Sequence, residues 1–541
     1  MSFFRRPPQV GPTAPPAGAP AVPRPAGRRA AARTRSALAA GATTVALVAA
    51  ASPPPGAAGI GDRLFPTLGN PGYDVLSYDV SLRYSGANDR PLDATTRLTA
   101  RVTDRLDHLN LDFARGTVRS VEVDGAPARF HRDGEDLVLR PSRPLWPGEL
   151  AQVTVHHTSD PTGPKDASDG GWVRTSDGLA MANQADAAHR VFPCNDHPSD
   201  KAYFTFHVTA PKELTVVAGG TPFAERHPHG DATTWTYRTA HPMATELAQV
   251  SIGHSAVVRR EGPHGLPLRD VVPTADRARL EPWLAKTPEQ VRWMEARVGR
   301  FPFETYGVLM AHARTGFELE TQTLSLFERD LFTTKLRIPE GYLDSIMVHE
   351  LAHQWFGDSV SPRRWSDVWL NEGHATWYEA LYAQEKAHAP METRMRNAYR
   401  MSDAWRADGG PPAAPRAPEP GKKVSIFRPS VYDGSALVLY ALRTRIGADA
   451  FGRLERLWVA RHRDGVADTA DFVHLASEVS GADQSAFLHH WLFDAKTPPM
   501  PGHPDWHAQA PAKAPRAATR AARPAEAVRS RAAGGPQHGR P

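Results

Sequence analysis

Cysteine is almost absent from this 541-residue chain. A lone thiol, Cys194, cannot close a disulfide within the chain, so the fold rests on its core, as a chain long enough for two to four domains can. A basic core is missing as well. Residues 1–60 hold seven arginines with no lysine or acidic residue, and from Pro501 onward seven basic residues stand against Asp505 and Glu526. With seven positive charges at one end and a net five at the other, an overall charge of +5 leaves residues 61–500 at about −7. That excludes the clustered Lys and Arg of a nucleic-acid-binding core and makes the basic pI a property of solvated tails.

Long apolar runs are lacking too. Ser36 to Ala51, sixteen Ala-rich residues, is too short and too weakly apolar for a stable membrane span. It follows Arg28, Arg29, Arg33 and Arg35, precedes Ser52 and three prolines, and offers Ala49 to Ala51 for cleavage. This is the form of a secretory signal, so the expected location is secreted or cell-envelope. The Pro-rich stretch ahead of Arg28 is unusual for a signal and points to a translation start later than Met1. The fifty prolines and 42 glycines crowd both ends. Residues 1–60 are therefore expected to be a disordered leader holding the signal-like segment 36–51, and residues 501–541 a disordered basic Ala/Pro/Arg tail.

Between the tails the periodicity changes once. Tyr78, Val80, Leu82 and Tyr84 alternate with Asp79, Ser81 and Arg83; Leu98, Ala100 and Val102 repeat the pattern, as do Ala202, Phe204, Phe206 and Val208. With turn signals such as Asp124-Gly125, residues 61–262 read as an antiparallel β-sheet domain. Beyond it, Pro282 to Val298, Gly341 to Gly357, Trp365 to Gln384 and Ser435 to Leu457 carry helical spacing, so residues 263–500 form a mainly α domain.

The second region carries the chemistry. His349-Glu350-Leu351-Ala352-His353 is H-E-x-x-H. Four helical residues advance about 400°, so the two imidazoles lie some 40° apart on one face and can share one metal. In a chain this rich in histidine, chance alone supplies that pattern in roughly one sequence in twenty. Trp369-Leu370-Asn371-Glu372-Gly373 adds a carboxylate eighteen residues beyond His353. Two histidines and one glutamate suit a catalytic zinc, which keeps a fourth position open. Glu350, one step along the helix, is placed for a water there without being a ligand. Glu379, two helical turns after Glu372, is placed either to orient a ligating histidine or to form a surface ion pair.

These residues bring a resemblance into view. H-E-L-A-H followed by W-L-N-E-G is similar to the gluzincin zinc aminopeptidases of the aminopeptidase N and leukotriene hydrolase type. F-P-C-N-D-H-P-S-D-K-A at Phe192 to Ala202, T-G-F-E-L-E-T-Q-T at Thr315 to Thr323, V-Y-D at Val431 to Asp433 and W-L-F-D at Trp491 to Asp494 fall in the family's order. The resemblance runs from about Gly61 to Pro501. It implies a saddle-like N-terminal β-sheet domain and a thermolysin-like catalytic domain, in a short, more open form without the helical C-terminal domain of larger members.

It also implies roles. One zinc per chain would be held by His349, His353 and Glu372, with Glu350 as general base and Tyr432 as donor to the oxyanion. Glu320 and Gln184 would read the free α-amine of a peptide substrate, with Glu372 sharing it. The sequence departs from the family where Phe317 and Glu318 replace two small residues, where Thr321 replaces an amide, where Asp433-Gly434-Ser435 follows Tyr432 in place of a basic residue and then glycine, and where His374 stands for Phe. Alternatives within the same metal set are a zinc endopeptidase, which would not need Glu320 or Gln184, and an inactive zinc-stabilised peptide-binding protein. Oligomeric state is not legible.

Overall fold

In the computed structural model, the described residues are 54, 56–162, 170–313, 315–334, 341–417 and 426–509. The signal-like segment 36–51 and the tail beyond residue 509 lie outside them. Among the described residues, no helix is long and apolar enough to cross a membrane.

Alternating sequence becomes alternating burial in the first half. An eight-stranded sheet runs in the order Thr221–His229, Ala232–Arg238, Tyr203–Pro211, Tyr73–Arg83, Leu92–Val102, Leu150–Ser159, Val118–Val123 and Ala126–Pro127. Tyr78, Val80, Leu82, Leu98, Ala100, Phe204, Phe206 and Val208 all face its core. The Asp124-Gly125 pair turns between the last two strands, both residues at positive φ (54° and 76°), the twist a tight hairpin needs. One pairing departs from the antiparallel expectation: Tyr73–Arg83 runs parallel to Tyr203–Pro211, Ser77 opposite Tyr203. No short turn links these two strands, so nothing forces them to oppose.

The expected boundary at residue 262 falls in a hairpin. Ser255–Glu261 pairs with Pro267–Pro273, Val308–Met310 adds to the second strand in parallel, and Ser325–Phe327 adds in parallel to Val308–Met310. This sheet packs on the helical side, since Val258, Val272, Val308, Met310 and Phe327 share a core with Leu280, Leu284, Ile346 and Met347. Two expected helices are broken. Arg277–Leu284 gives way to Thr287–Val298, with Pro288 in the first turn of the second, and Asp433–Ile446 is separated from Ala448–His462 by Gly447 at φ 85°.

Both expected tails are shorter than composition suggests. The Gly56 carbonyl accepts from His108 Nε2 (2.9 Å) and Asn110 Nδ2 (3.2 Å), which docks Gly56 on the β region. At the other end Trp506 is buried against Tyr399 and Tyr440, and Gln509 N donates to Arg400 O at 2.8 Å, so residues 501–509 belong to the folded body. A single large aromatic outweighs the local polar composition there.

Candidate active site

The site is assembled from two crossing helices. Tyr342–His353 is buried along most of its length through Leu343, Ile346, Met347, Val348 and Leu351, and delivers His349, Glu350 and His353 in its final turns. Trp369–Ala387 presents Glu372 in its first turn, where the unpaired amides favour a negative charge. A third helix, Asp433–Ile446, lies so close to the second that a Cβ on Gly373 would stand 2.7 Å from Ser435 Cβ; glycine is what lets the Tyr432 corner approach Glu372.

His349 Nε2 and His353 Nε2 lie 3.4 and 3.6 Å from the same oxygen, Glu372 Oε2. Two ligands about 2.0–2.1 Å from a tetrahedral ion sit roughly 3.3–3.4 Å apart, so the set has zinc spacing. The other ring nitrogens are occupied: His349 Nδ1 donates to Glu379 Oε2 and His353 Nδ1 to Phe356 O, each at 3.1 Å. That fixes the tautomer and turns both Nε2 lone pairs inward. Glu372 Oε2 is buried with no hydrogen-bond partner, as a ligand oxygen would be. Burial alone would raise the Glu372 carboxyl, but the two histidines outweigh it and hold it at about 2. Burial opposes charge on His353 as well, yet Glu320, Glu372 and Glu350 push it well above the ordinary histidine range. The pocket is short of positive charge, and its donors are of the kind zinc takes.

Glu379 is 1% exposed, so it is no surface residue. It receives Arg394 Nη1 at 3.0 Å, while Arg394 Nε donates to Asp433 Oδ1 at 2.7 Å. Burial works against the Arg394 charge, and Asp433 and Glu379 more than restore it. One guanidinium thus ties the carboxylate behind His349 to the residue after Tyr432, whose ring lies 6.0 Å from the His349 ring.

On the other side of His353 sits the segment with Glu320. Leu319 and Leu326 exchange backbone hydrogen bonds at 2.8 and 2.7 Å, and Gln354 pins the turn between them. Its Oε1 accepts from Thr323 N (2.8 Å), and its Nε2 donates to Glu320 O (3.1 Å) and Asp358 Oδ2 (2.8 Å). Glu320 Oε1 accepts from Gln184 Nε2 at 2.6 Å and lies 3.8 Å from His353 Nδ1. The structure therefore brings His349, His353, Glu372, Glu350, Glu320, Gln184, Glu379 and Tyr432 to one place, from segments up to 248 positions apart in the sequence.

The departures noted in the sequence have local uses. His374 keeps the stacking expected of Phe, 4.3 Å from the Phe356 ring and 5° from coplanar, and adds a contact to Glu455 Oε1 at 3.2 Å. The Thr321 hydroxyl donates to Leu324 O at 2.5 Å and closes the turn. Phe317 packs, partly buried, on the β core.

Comparison with known proteins agrees with this geometry. The model of the peptidase family M1 domain matches residues 301–491, and that of the peptidase M1 N-terminal domain matches residues 179–247. Over these residues the chain is similar to the two domains of the M1 peptidase family.

Among solved structures, the M1 zinc metallopeptidase of Deinococcus radiodurans is 27% identical with a TM-score of 0.70, covering 84% of this chain and 100% of that one. A mutant of the same enzyme bound to a Tyr-Ser-Ala substrate aligns at 27% identity and TM-score 0.69, over 82% of this chain and 100% of that one. Aminopeptidase N of Streptomyces lividans is 26% identical over 77% of this chain and 50% of its own length. Aminopeptidase 2 of Candida albicans is 25% identical over 72% and 44%. The chain thus spans half or less of the length of these curated relatives.

Three groups that hold or border the site residues escaped the sequence reading. Gln354 carried a faint signal, directly after His353 in the metal helix. Arg394 and Glu246 carried none, because each meets its partners across the fold.

Proposed function

We propose that the chain is a zinc aminopeptidase that removes N-terminal residues from peptides, with His349, His353 and Glu372 holding the metal. Zinc bound there supplies a Lewis acid for the scissile carbonyl and lowers the pKa of a water towards 7. Glu350 takes the proton of the attacking water and returns it to the departing amine. The Tyr432 hydroxyl donates to the carbonyl oxygen as charge develops on it. Glu320 and Gln184 receive the substrate α-ammonium, a donor that wants short contacts to a carboxylate and an amide oxygen; accepting it requires the Gln184 amide to turn its oxygen towards the ligand.

The observation that carries this reading is the Glu320–Gln184 pair beside the metal set: a buried carboxylate, 3% exposed, 3.8 Å from a metal-ligating ring. An endopeptidase has no use for it. A panel of aminoacyl fluorogenic amides, each paired with its N-acetylated form, is expected to show cleavage of the free-amine set alone. Cleavage of both sets would favour an endopeptidase, and cleavage of neither by zinc-loaded protein would favour a peptide-binding role.

Export is proposed on the basis of the Arg-led, Ala-rich segment 36–51. Fractionation should find the protein outside the cytosol without residues 1–51; the intact chain confined to the cytosol would refute it.

A further inference from the structure

Beside Glu320 lies a second buried carboxylate that the proposed chemistry does not use. Glu246 is 1% exposed, and its Oε2 is buried with no hydrogen-bond partner. Burial, with Glu320 and Asp196 adding to it, pushes its pKa well above the usual carboxylate range, so a cationic ligand is what would let it ionise.

Its position is set by three segments clipped together. Gln249 bonds both ends of Met181, its Oε1 accepting from Met181 N (3.1 Å) and its Nε2 donating to Met181 O (2.9 Å), while Asn183 Nδ2 donates to Ala248 O (3.1 Å). This holds Thr245–Leu247 against the strand that leads into Gln184. Gln322 N donates to Leu247 O (3.2 Å) and Gln249 Nε2 to Thr321 Oγ1 (3.4 Å), which brings the Glu320 turn onto the same segment. Glu246 therefore borders the Gln184–Glu320 pair from the β-domain side, and its carboxyl engages the Gln184 side chain.

The surroundings are charged one way. After burial itself, the group acting most on Glu246 is Glu320; Asp196 adds to it, and the positive group among its strongest influences is His353, already committed to the metal set. Glu318, Glu320 and Glu372 act on Glu350 in the same sense. Beyond the metal ion and the α-ammonium, a second cation on the substrate would meet Glu246 and favour its charged form.

We propose that Glu246 is a specificity-determining residue that receives the positively charged side chain of an N-terminal arginine or lysine. The inference rests on the aminopeptidase reading for its setting. The ligand chemistry is an ammonium or guanidinium group meeting a desolvated carboxylate, a charge-assisted contact that discriminates by about 10- to 100-fold.

Arginine and citrulline have nearly the same shape and share an α-amine, so a difference between them reports the side-chain charge alone. With the zinc-loaded protein, the fluorogenic amide of arginine is expected to exceed that of citrulline by about 10- to 100-fold in kcat/KM. Glu246→Gln, which keeps the shape of the side chain, should bring that ratio to within about threefold of one. Calorimetric titration of free L-arginine and L-citrulline into both proteins reads the same preference without turnover. If no amide is cleaved while the binding preference persists, the aminopeptidase reading fails and the Glu246 assignment stands. A ratio near one in the parent protein by both measurements overturns the proposal. So does a ratio unchanged by Glu246→Gln, the result expected if Glu246 reads the α-ammonium or only supports the fold. Should the variant fail to fold, a ratio near one in the parent protein still overturns the proposal.

Discussion

Glu350→Gln is expected to leave one zinc per chain in place and to lower kcat by about 10² to 10⁴, the range a positioned general base supplies. The glutamine amide has the shape of the carboxylate and can still order a water, but it cannot take a proton from one. Glu350 is suited to the task by what surrounds it. It is 5% exposed, and its Oε2 is buried without a hydrogen-bond partner. Burial raises its pKa well above the usual carboxylate range; His353 opposes this, while Glu320, Glu318 and Glu372 add to it. A base must be deprotonated to act, so activity in the parent enzyme should rise with pH through the Glu350 pKa, and that limb should vanish from the residual rate of the variant. Metal analysis with steady-state kinetics over a pH series checks both parts. Turnover within tenfold of the parent enzyme would sink the general-base assignment, and loss of zinc would recast Glu350 as part of the metal set.

The metal set was the most legible part of the molecule because it is local. Two histidines four apart meet on one helix face whatever the rest of the chain does, and Glu372 needs only a second helix to cross the first. The strands were legible for the same reason: period two declares a half-buried sheet residue by residue. Contacts between distant segments are another matter. Tyr73–Arg83 runs parallel to Tyr203–Pro211 because of the path of the 119 intervening residues, which no local pattern records. The sequence shows Glu379 as an acid two turns beyond a ligand. Whether it orients His349 or decorates the surface depends on burial, and burial is decided by packing from elsewhere. Arg394 and Glu246 are polar residues in polar-looking stretches. Only the folded chain shows one bridging two carboxylates and the other left without a hydrogen-bond partner at Oε2. Trp506 is the opposite case, since composition marked residues 501–509 as tail and one buried indole overrides it.

Tyr432→Phe should lower kcat by about 10² to 10³ with little change in KM, because the hydroxyl is asked to bond an oxygen that becomes strongly negative only in the transition state. The neighbourhood of Tyr432 gives the prediction its structural content. Tyr432 sits at the N-terminal edge of Asp433–Ile446, its own N–H donating to Arg428 O at 3.3 Å and its carbonyl accepting from Ser435 N at 3.1 Å and Ala436 N at 3.0 Å. The next residue, Asp433, is held by Arg394, which also grips the Glu379 carboxylate behind His349. The ring is therefore fixed relative to the metal ligands by a partly buried charged bridge, and a phenylalanine ring can occupy the same place. That separates two explanations of a slow variant. If the hydroxyl stabilises developing charge, Tyr432→Phe keeps its zinc content, its melting temperature and its affinity for unreactive substrate analogues while kcat falls. If Tyr432 only supports the corner, Phe should preserve the rate almost entirely, since it preserves the packing. A kcat within about threefold of the parent enzyme would remove Tyr432 from the catalytic set and leave oxyanion stabilisation to be sought in another donor.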